Sequence, residues 1–143
     1  MKKILLTSLI LFSFNTFGEI TPEIKALKDN PNSVLFIGNS YLYYNDSLHN
    51  HFKNMANERF AKFDGSKNVK SATIGGSRLK HHDVERLIQP LAISSIEKFD
   101  LVILQGGSGE VLSESDRIEF NEVAHQHIET IRSKDIEPAL YMT

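Results

Sequence analysis

The chain has 143 residues, a formal net charge of −2 and no cysteine. This length predicts a single domain. The lack of cysteine excludes disulfides and cysteine catalysis. Basic residues form no cluster and no amphipathic basic helix, so neither a nucleic acid nor a membrane surface is predicted as a partner.

The first 18 residues have the layout of a secretory signal peptide. Two lysines are followed by the apolar run Ile4–Phe14, and the small residue Gly18 closes the segment. The run is too short to span a bilayer. We therefore predict cleavage of residues 1–18, a periplasmic or secreted location, and no membrane association afterwards. The alternative is that the apolar run forms the first strand or helix of the fold. The two lysines carry the segment's only charges, so the net charge would become −4.

Residues 19–33 form a polar lead-in, and residues 34–143 alternate short apolar runs with helical patterns. Strands are predicted at Val34–Ile37, Val69–Ile74, Leu101–Leu104 and Ala139–Met142. Helices are predicted at Leu48–Phe60, Val84–Ile96 and Ile118–Arg132. The first is expected to be capped by Asn45, Asp46 or Ser47 and the second by Asp83, and Pro90 is expected to kink or divide the second. A loop is predicted at 62–67. The alternation predicts an α/β fold built from parallel βαβ units.

The fourth predicted strand lies at the end of the sequence. A three-layer α/β domain usually covers its last strand with further helices. We therefore expect a domain that is incomplete at its carboxyl end, and a compact four-strand variant is the alternative.

Each of the first three strands ends in a polar turn that contains glycine. The first turn is Gly38–Ser40, the second is Gly75–Ser77, and the third is Gln105–Ser108. Carboxyl ends of parallel strands form the ligand crevice of open α/β sheets, so the turns are expected to converge. A hydroxyl beside backbone N–H donors suits acyl transfer. The alternative is that glycine simply ends the strands.

The three turns also resemble a known family. The segments FIGNSY, ATIGGS and LVILQGGSGE resemble, in order, the first three blocks of the SGNH (GDSL-like) hydrolases. The resemblance implies a flavodoxin-like three-layer α/β/α fold and a serine esterase. It puts the nucleophile at Ser40 and an oxyanion-hole N–H at Gly76. The family's asparagine, a further oxyanion donor, falls on Ser108, and Gln105 is the alternative donor.

The family's fourth block, Asp-x-x-His, supplies the general base and has no counterpart in this sequence. The resemblance places it beyond Thr143, so we expect the 143-residue form to be inactive as an esterase. It implies no metal and no organic cofactor. The implied substrate is a small-molecule or carbohydrate ester, and the oligomeric state is left open.

Two binding functions are alternatives to the esterase. One is a flavodoxin-like module whose turns hold phosphate or a sugar through backbone N–H groups. Only one basic side chain, Arg78, follows closely on any of the turns. The other is a serine-bearing but inactive relative that binds glycans. Other side chains are assigned as follows. Tyr41, Tyr43 and Tyr44 form either an aromatic wall of the crevice or the packing of the loop. His81 and His82 are expected at the crevice rim. The other histidines are expected to be surface or packing residues: His49, His51, His125 and His127.

Overall fold

The computed structural model describes residue 27 and residues 30–141. The predicted signal peptide and most of the lead-in lie outside these residues. Within the described part, no helix is both long and apolar enough to cross a membrane.

Four parallel strands form one sheet, in the order β2-β1-β3-β4. They are Val34–Gly38 (β1), Val69–Thr73 (β2), Leu101–Gln105 (β3) and Glu137–Tyr141 (β4). The α/β class and the parallel sheet predicted from the sequence are therefore confirmed. The strand order is consistent with a flavodoxin-like fold.

The described α-helices are Ser40–Tyr43 (α1), Leu48–Arg59 (α2), Gly65–Asn68 (α3), Val84–Leu87 (α4) and Glu114–Arg132 (α5). Short 3₁₀ turns span Leu79–His81 and Ser108–Val111. Side chains of a strand point alternately to the two faces of the sheet, and in β1 the side chains on both faces are buried. Val34 and Phe36 pack toward α2, and Leu35 and Ile37 pack toward α4 and α5.

The register of the sheet brings three strand ends to one level. In the two ladders of β1, Gly38 pairs with Thr73 and Ile37 pairs with Leu104. The turns that follow β1, β2 and β3 therefore leave the sheet side by side. This is how the fold positions the candidate site.

Two predicted helices differ from the structure at their ends. The helix predicted over Val84–Ile96 is wrong beyond Leu87, because Leu91 and Ser94 have φ values of 64° and 61°, which a helix does not allow. The cap predicted at Asp83 is confirmed by its bond from the Arg86 N–H at 3.1 Å. Helix α5 begins earlier than predicted, since the Ser113 hydroxyl accepts a hydrogen bond from the Asp116 N–H.

Smaller differences lie around α2 and α3. The helix at Leu48 is confirmed, but Ser47, the residue before it, has a φ of 64° and makes no capping bond. Its hydroxyl instead donates to the Tyr43 carbonyl. The predicted loop at 62–67 contains the start of α3, because the Asp64 carboxylate caps a helical turn through the Lys67 N–H. Strand β4 begins at Glu137, two residues before the predicted start.

Candidate functional site

The turns after β1, β2 and β3 surround one depression of about 320 Å³. Ligands of open α/β sheets bind at this end of the strands. The structure thus brings the predicted residues Ser40, Gly76 and Ser108 together. The full lining is Asn39, Ser40, Tyr41, Tyr44, Gly76, Ser77, Arg78, Gly107, Ser108 and Gly109.

A larger depression, of about 780 Å³, lies at the opposite end of the sheet, where β3 and β4 begin. Charged side chains of both signs line it, and Lys98 pairs with Asp135 there at 3.0 Å. Open α/β sheets place their ligands at the other end of the strands. The smaller depression is therefore the candidate site.

Asn39 joins all three turns. Its Nδ2 donates to the carbonyl of Ser77 at 3.0 Å and to that of Gly106 at 3.1 Å. Its Oδ1 accepts from the Tyr41 N–H, and its own N–H donates to Gln105 Oε1, both at 3.1 Å. The residue is almost fully buried. No role was predicted for this side chain, because its partners are up to 67 residues away in the sequence.

Ser40 is the first residue of α1 and lies at the wall of the depression. It is partly exposed, and its hydroxyl has no hydrogen-bond partner within the part of the chain that the structure describes. Asn39 fixes its position by capping α1 through the Tyr41 N–H. A serine nucleophile is activated by a base within hydrogen-bond reach, and none of the described side chains supplies one here.

Gly76 also lines the depression, with a left-handed backbone. Its φ is 68°, and a Cβ built there would meet nothing within 4 Å. The glycine is therefore required by conformation and not by crowding. The residue is exposed where it lines the depression.

Glu110 holds the third turn against the second. Its carboxylate is 3% exposed and accepts hydrogen bonds from the N–H of Leu79, at 2.9 Å, and from the N–H of Gly107. A Cβ on Gly107 would lie 2.7 Å from the Ser77 carbonyl oxygen, so the two backbones touch. Ser108 then projects at the exposed rim. Glu110 was not among the predicted site residues, although its place three residues after Gly107 suits a carboxylate that binds a turn N–H.

Gln105 lies beneath the depression and does not line it. Its side chain is 1% exposed, its Oε1 accepts from the Asn39 N–H, and its Nε2 donates to the Gly106 carbonyl. Both ends of the amide are therefore occupied within the turns. Of the two predicted third donors, Ser108 is the one that faces the depression.

Arg78 places a cation at the rim, but carboxylates of α5 compensate it. Its Nη1 lies 2.6 Å from Asp116 Oδ1 and 3.4 Å from Glu119 Oε2. The hydrogen bond with Asp116 raises the pKa of Arg78. Two hydrogen bonds lower the pKa of Asp116, and the one with the Ser113 hydroxyl contributes more than the one with Arg78. A charge balanced in this way gives little support to a phosphate site.

None of the six histidines lines the depression, and all six are among the described residues. His82, predicted at the rim, lies behind the second turn with its Nε2 2.9 Å from Ser77 Oγ. His81 Nδ1 accepts from the Arg78 N–H at 3.0 Å. The described residues contain no cluster of side chains suited to a metal ion.

Comparison with known protein families, curated proteins and solved structures found no match for this chain. The parallel sheet and its strand order define an α/β protein.

Proposed function

We propose that this chain carries the nucleophile and the oxyanion hole of an SGNH-type ester hydrolase. The observation that supports this most directly is the grouping of Ser40, Gly76 and Ser108 around one depression. The three come from three strand ends that are separate in the sequence. Their order along the chain is that of the resembled blocks.

In the proposed reaction the Ser40 hydroxyl attacks the carbonyl carbon of an ester. A general base takes the hydroxyl proton as the new C–O bond forms, and the carbonyl oxygen becomes an oxyanion. The N–H groups of Ser40 and Gly76 and the hydroxyl of Ser108 stabilise that charge. The oxyanion then collapses, the alcohol leaves with the proton from the base, and water releases the acid from Ser40 in the same way.

The base is proposed to come from a segment outside the described residues. No histidine shares the depression with Ser40, and His82 is buried behind Ser77. The resembled family brings its histidine on a late Asp-x-x-His block. The depression is open to solvent beside Ser40, so an imidazole can reach the hydroxyl from there.

A carbohydrate ester fits the lining best. Most lining groups are polar side chains or glycine backbone, and two tyrosines stand among them. Tyr41 is 49% exposed and Tyr44 is 63% exposed. Sugar rings offer hydroxyls to polar groups and an apolar face to an aromatic ring. Tyr43 supports Tyr44, with ring centroids 5.3 Å apart in an edge-on arrangement.

A non-catalytic glycan-binding module is the second candidate function. The exposed tyrosines favour it, and so does the absence of a histidine beside Ser40 among the described residues. The two candidates share the ligand and differ in whether a bond is broken. The phosphate-binding alternative has less support, because Arg78 is already paired with Asp116 and Glu119.

Ester turnover separates the candidates. The reading frame after Thr143 is examined for Asp-x-x-His, and short-chain aryl esters are assayed with the encoded protein. Ser40→Ala should lower kcat/KM by about three orders of magnitude or more, because nucleophile and base act as a unit. Ser66→Ala, at an exposed serine of α3, is the matched control and should leave turnover unchanged. Equal turnover in the Ser40 variant excludes Ser40 as nucleophile.

Binding is measured by tyrosine fluorescence, since the chain has four tyrosines and no tryptophan. Three of the four lie at 41, 43 and 44. A fluorescence change with an unacetylated oligosaccharide, without turnover that depends on Ser40, supports the binding module instead.

A further inference from the structure

A buried serine–histidine pair lies directly behind the depression. Ser77 Oγ and His82 Nε2 are 2.9 Å apart, and the two residues are 4% and 5% exposed. The Ser77 hydroxyl also lies 3.5 Å from the Gly38 carbonyl oxygen. Because this hydroxyl points away from the depression and into the protein, Ser77 does not have the exposure that a nucleophile needs.

We propose that His82 is a positioning residue, which holds the second turn in place relative to Ser40 through Ser77 and Asn39. The inference rests on the proposed function, because the position of the second turn relative to Ser40 affects catalysis only if Ser40 is the nucleophile. The contacts that carry it do not depend on any reaction.

The path from His82 to Ser40 consists of short contacts between buried groups. His82 fixes the side chain of Ser77, and the Ser77 carbonyl accepts from Asn39 Nδ2 at 3.0 Å. Asn39 in turn caps α1, whose first residue is Ser40. Gly76 directly precedes Ser77, so the proposed oxyanion donor moves with it.

The third turn packs directly against the second. The Ser77 carbonyl oxygen lies so close to Gly107 that a Cβ there would be at 2.7 Å. Asn39 Nδ2 also binds the Gly106 carbonyl at 3.1 Å. A change at Ser77 therefore reaches all three turns. Misplacements of about 1 Å in such sites cost on the order of a hundredfold in rate.

The protonation state of His82 matters to this path. Burial lowers the pKa of His82, the neighbouring His127 and His81 lower it further, and the Gly38 carbonyl acts in the opposite direction. His127 belongs to α5, and Asp83 faces His127 from the start of α4. A neutral imidazole can accept from the Ser77 hydroxyl, whereas a protonated one can only donate. In the tautomer whose Nε2 is unprotonated, protonation should turn the Ser77 hydroxyl from His82 to the Gly38 carbonyl oxygen, 3.5 Å away, and so disturb the second turn.

The test is a pH titration of the ¹⁵N-labelled chain by NMR, with no substrate present. In the wild type, the Gly76 amide and the Asn39 Nδ2 protons should shift in step with the His82 imidazole. His82→Gln offers an amide to Ser77 and should keep both signals near their wild-type positions while abolishing their titration. His125→Gln, at an exposed histidine of α5, is the matched control and should leave the titration intact.

His82→Leu fills the space without a partner for Ser77. It should move or broaden the Gly76 and Asn39 signals at neutral pH. The proposal is overturned if these signals do not follow His82 in the wild type, or if they stay in place in a folded His82→Leu protein. If His82→Leu does not fold, the wild-type titration and His82→Gln decide. Failure of Ser40-dependent turnover would reject the proposed function and leave this result standing.

Discussion

The side-chain amide of Asn39 donates a 3.0 Å hydrogen bond to the carbonyl oxygen of Ser77. The two residues follow neighbouring strands of the sheet, and the bond is buried. It ties the first turn, which carries Ser40, to the second turn, which carries Gly76. The two bonds that Asn39 Nδ2 donates require an amide, because a carboxylate has no N–H to give.

Asn39→Asp is predicted to destabilise the fold by about 3 kcal/mol at neutral pH, because a carboxylate would face two carbonyl oxygens in a buried site. The carbonyls of Ser77 and Gly106 would also lose their donor. Denaturant unfolding measures this change. Asn50→Asp is the matched control, since Asn50 makes an exposed 3.0 Å bond of the same kind to Asp46. An Asn39→Asp protein as stable as the control would contradict the assigned contacts.

Two glycines of the site are predicted to respond differently to alanine. Gly76→Ala should cost about 1–2 kcal/mol, the strain of a left-handed residue in open space. Gly107→Ala should cost more, about 3 kcal/mol, because its Cβ would press on the Ser77 carbonyl, which cannot move aside. Thermal melting of the two variants ranks them. The reverse order would show that the turns are not packed as described.

Stability is predicted to fall on acidification below about pH 6.5, the usual pKa of histidine. Burial lowers the pKa of His82 in the folded protein, and those of His49 and His127 are lowered for the same reason. As the pH falls, the unfolded chain binds protons that the folded chain does not, so the free energy of unfolding decreases. Above that pH these groups are neutral in both states.

The contribution of His82 to this pH dependence is obtained by comparing the wild type with His82→Gln. The free energy of unfolding of the wild type should fall more steeply below pH 6.5 than that of His82→Gln, which lacks one of the three groups. Urea titrations over a pH series measure both slopes. Parallel slopes would mean that the folded protein takes up the His82 proton as readily as the unfolded chain does.

The elements with strong local signals could be predicted from the sequence. Val34–Ile37 and Leu101–Leu104 are unbroken runs of large apolar residues, and each becomes a buried strand. The glycine turns that follow them lie where parallel strands place them. The convergence of Ser40 and Ser108 on one depression follows from that topology.

The residues that hold the site together could not be predicted, because their partners are distant in the sequence. Asn39 binds Gly106, and Glu110 binds Leu79. Local sequence patterns do not predict hydrogen bonds between residues so far apart in the chain. The helix predicted beyond Leu87 failed for a related reason, since apolar spacing there reflects scattered packing: Ile96 is buried, whereas Leu91 is 60% exposed.

Export remains a prediction, and residues 1–18 lie outside the described part of the chain. The charged start, the apolar run and Gly18 predict that a bacterial host removes this segment. Intact-mass analysis of protein recovered from the periplasm should give a chain that begins near Glu19. Recovery of the chain with Met1 attached would contradict this prediction.

Acyl transfer to Ser40 is the most direct test of the proposed site. The 143-residue chain is incubated for hours with a short-chain aryl ester, digested and mapped by mass spectrometry. The proposal predicts slow acylation of the peptide that contains Ser40, because oxyanion donors alone leave about a thousandfold acceleration. The acyl group should accumulate, since none of the described residues that line the depression is a histidine or a carboxylate that could activate water, and Ser108→Ala should slow its appearance. An unmodified Ser40 peptide, with acyl groups only on lysines and tyrosines, would contradict the assignment of Ser40 as nucleophile.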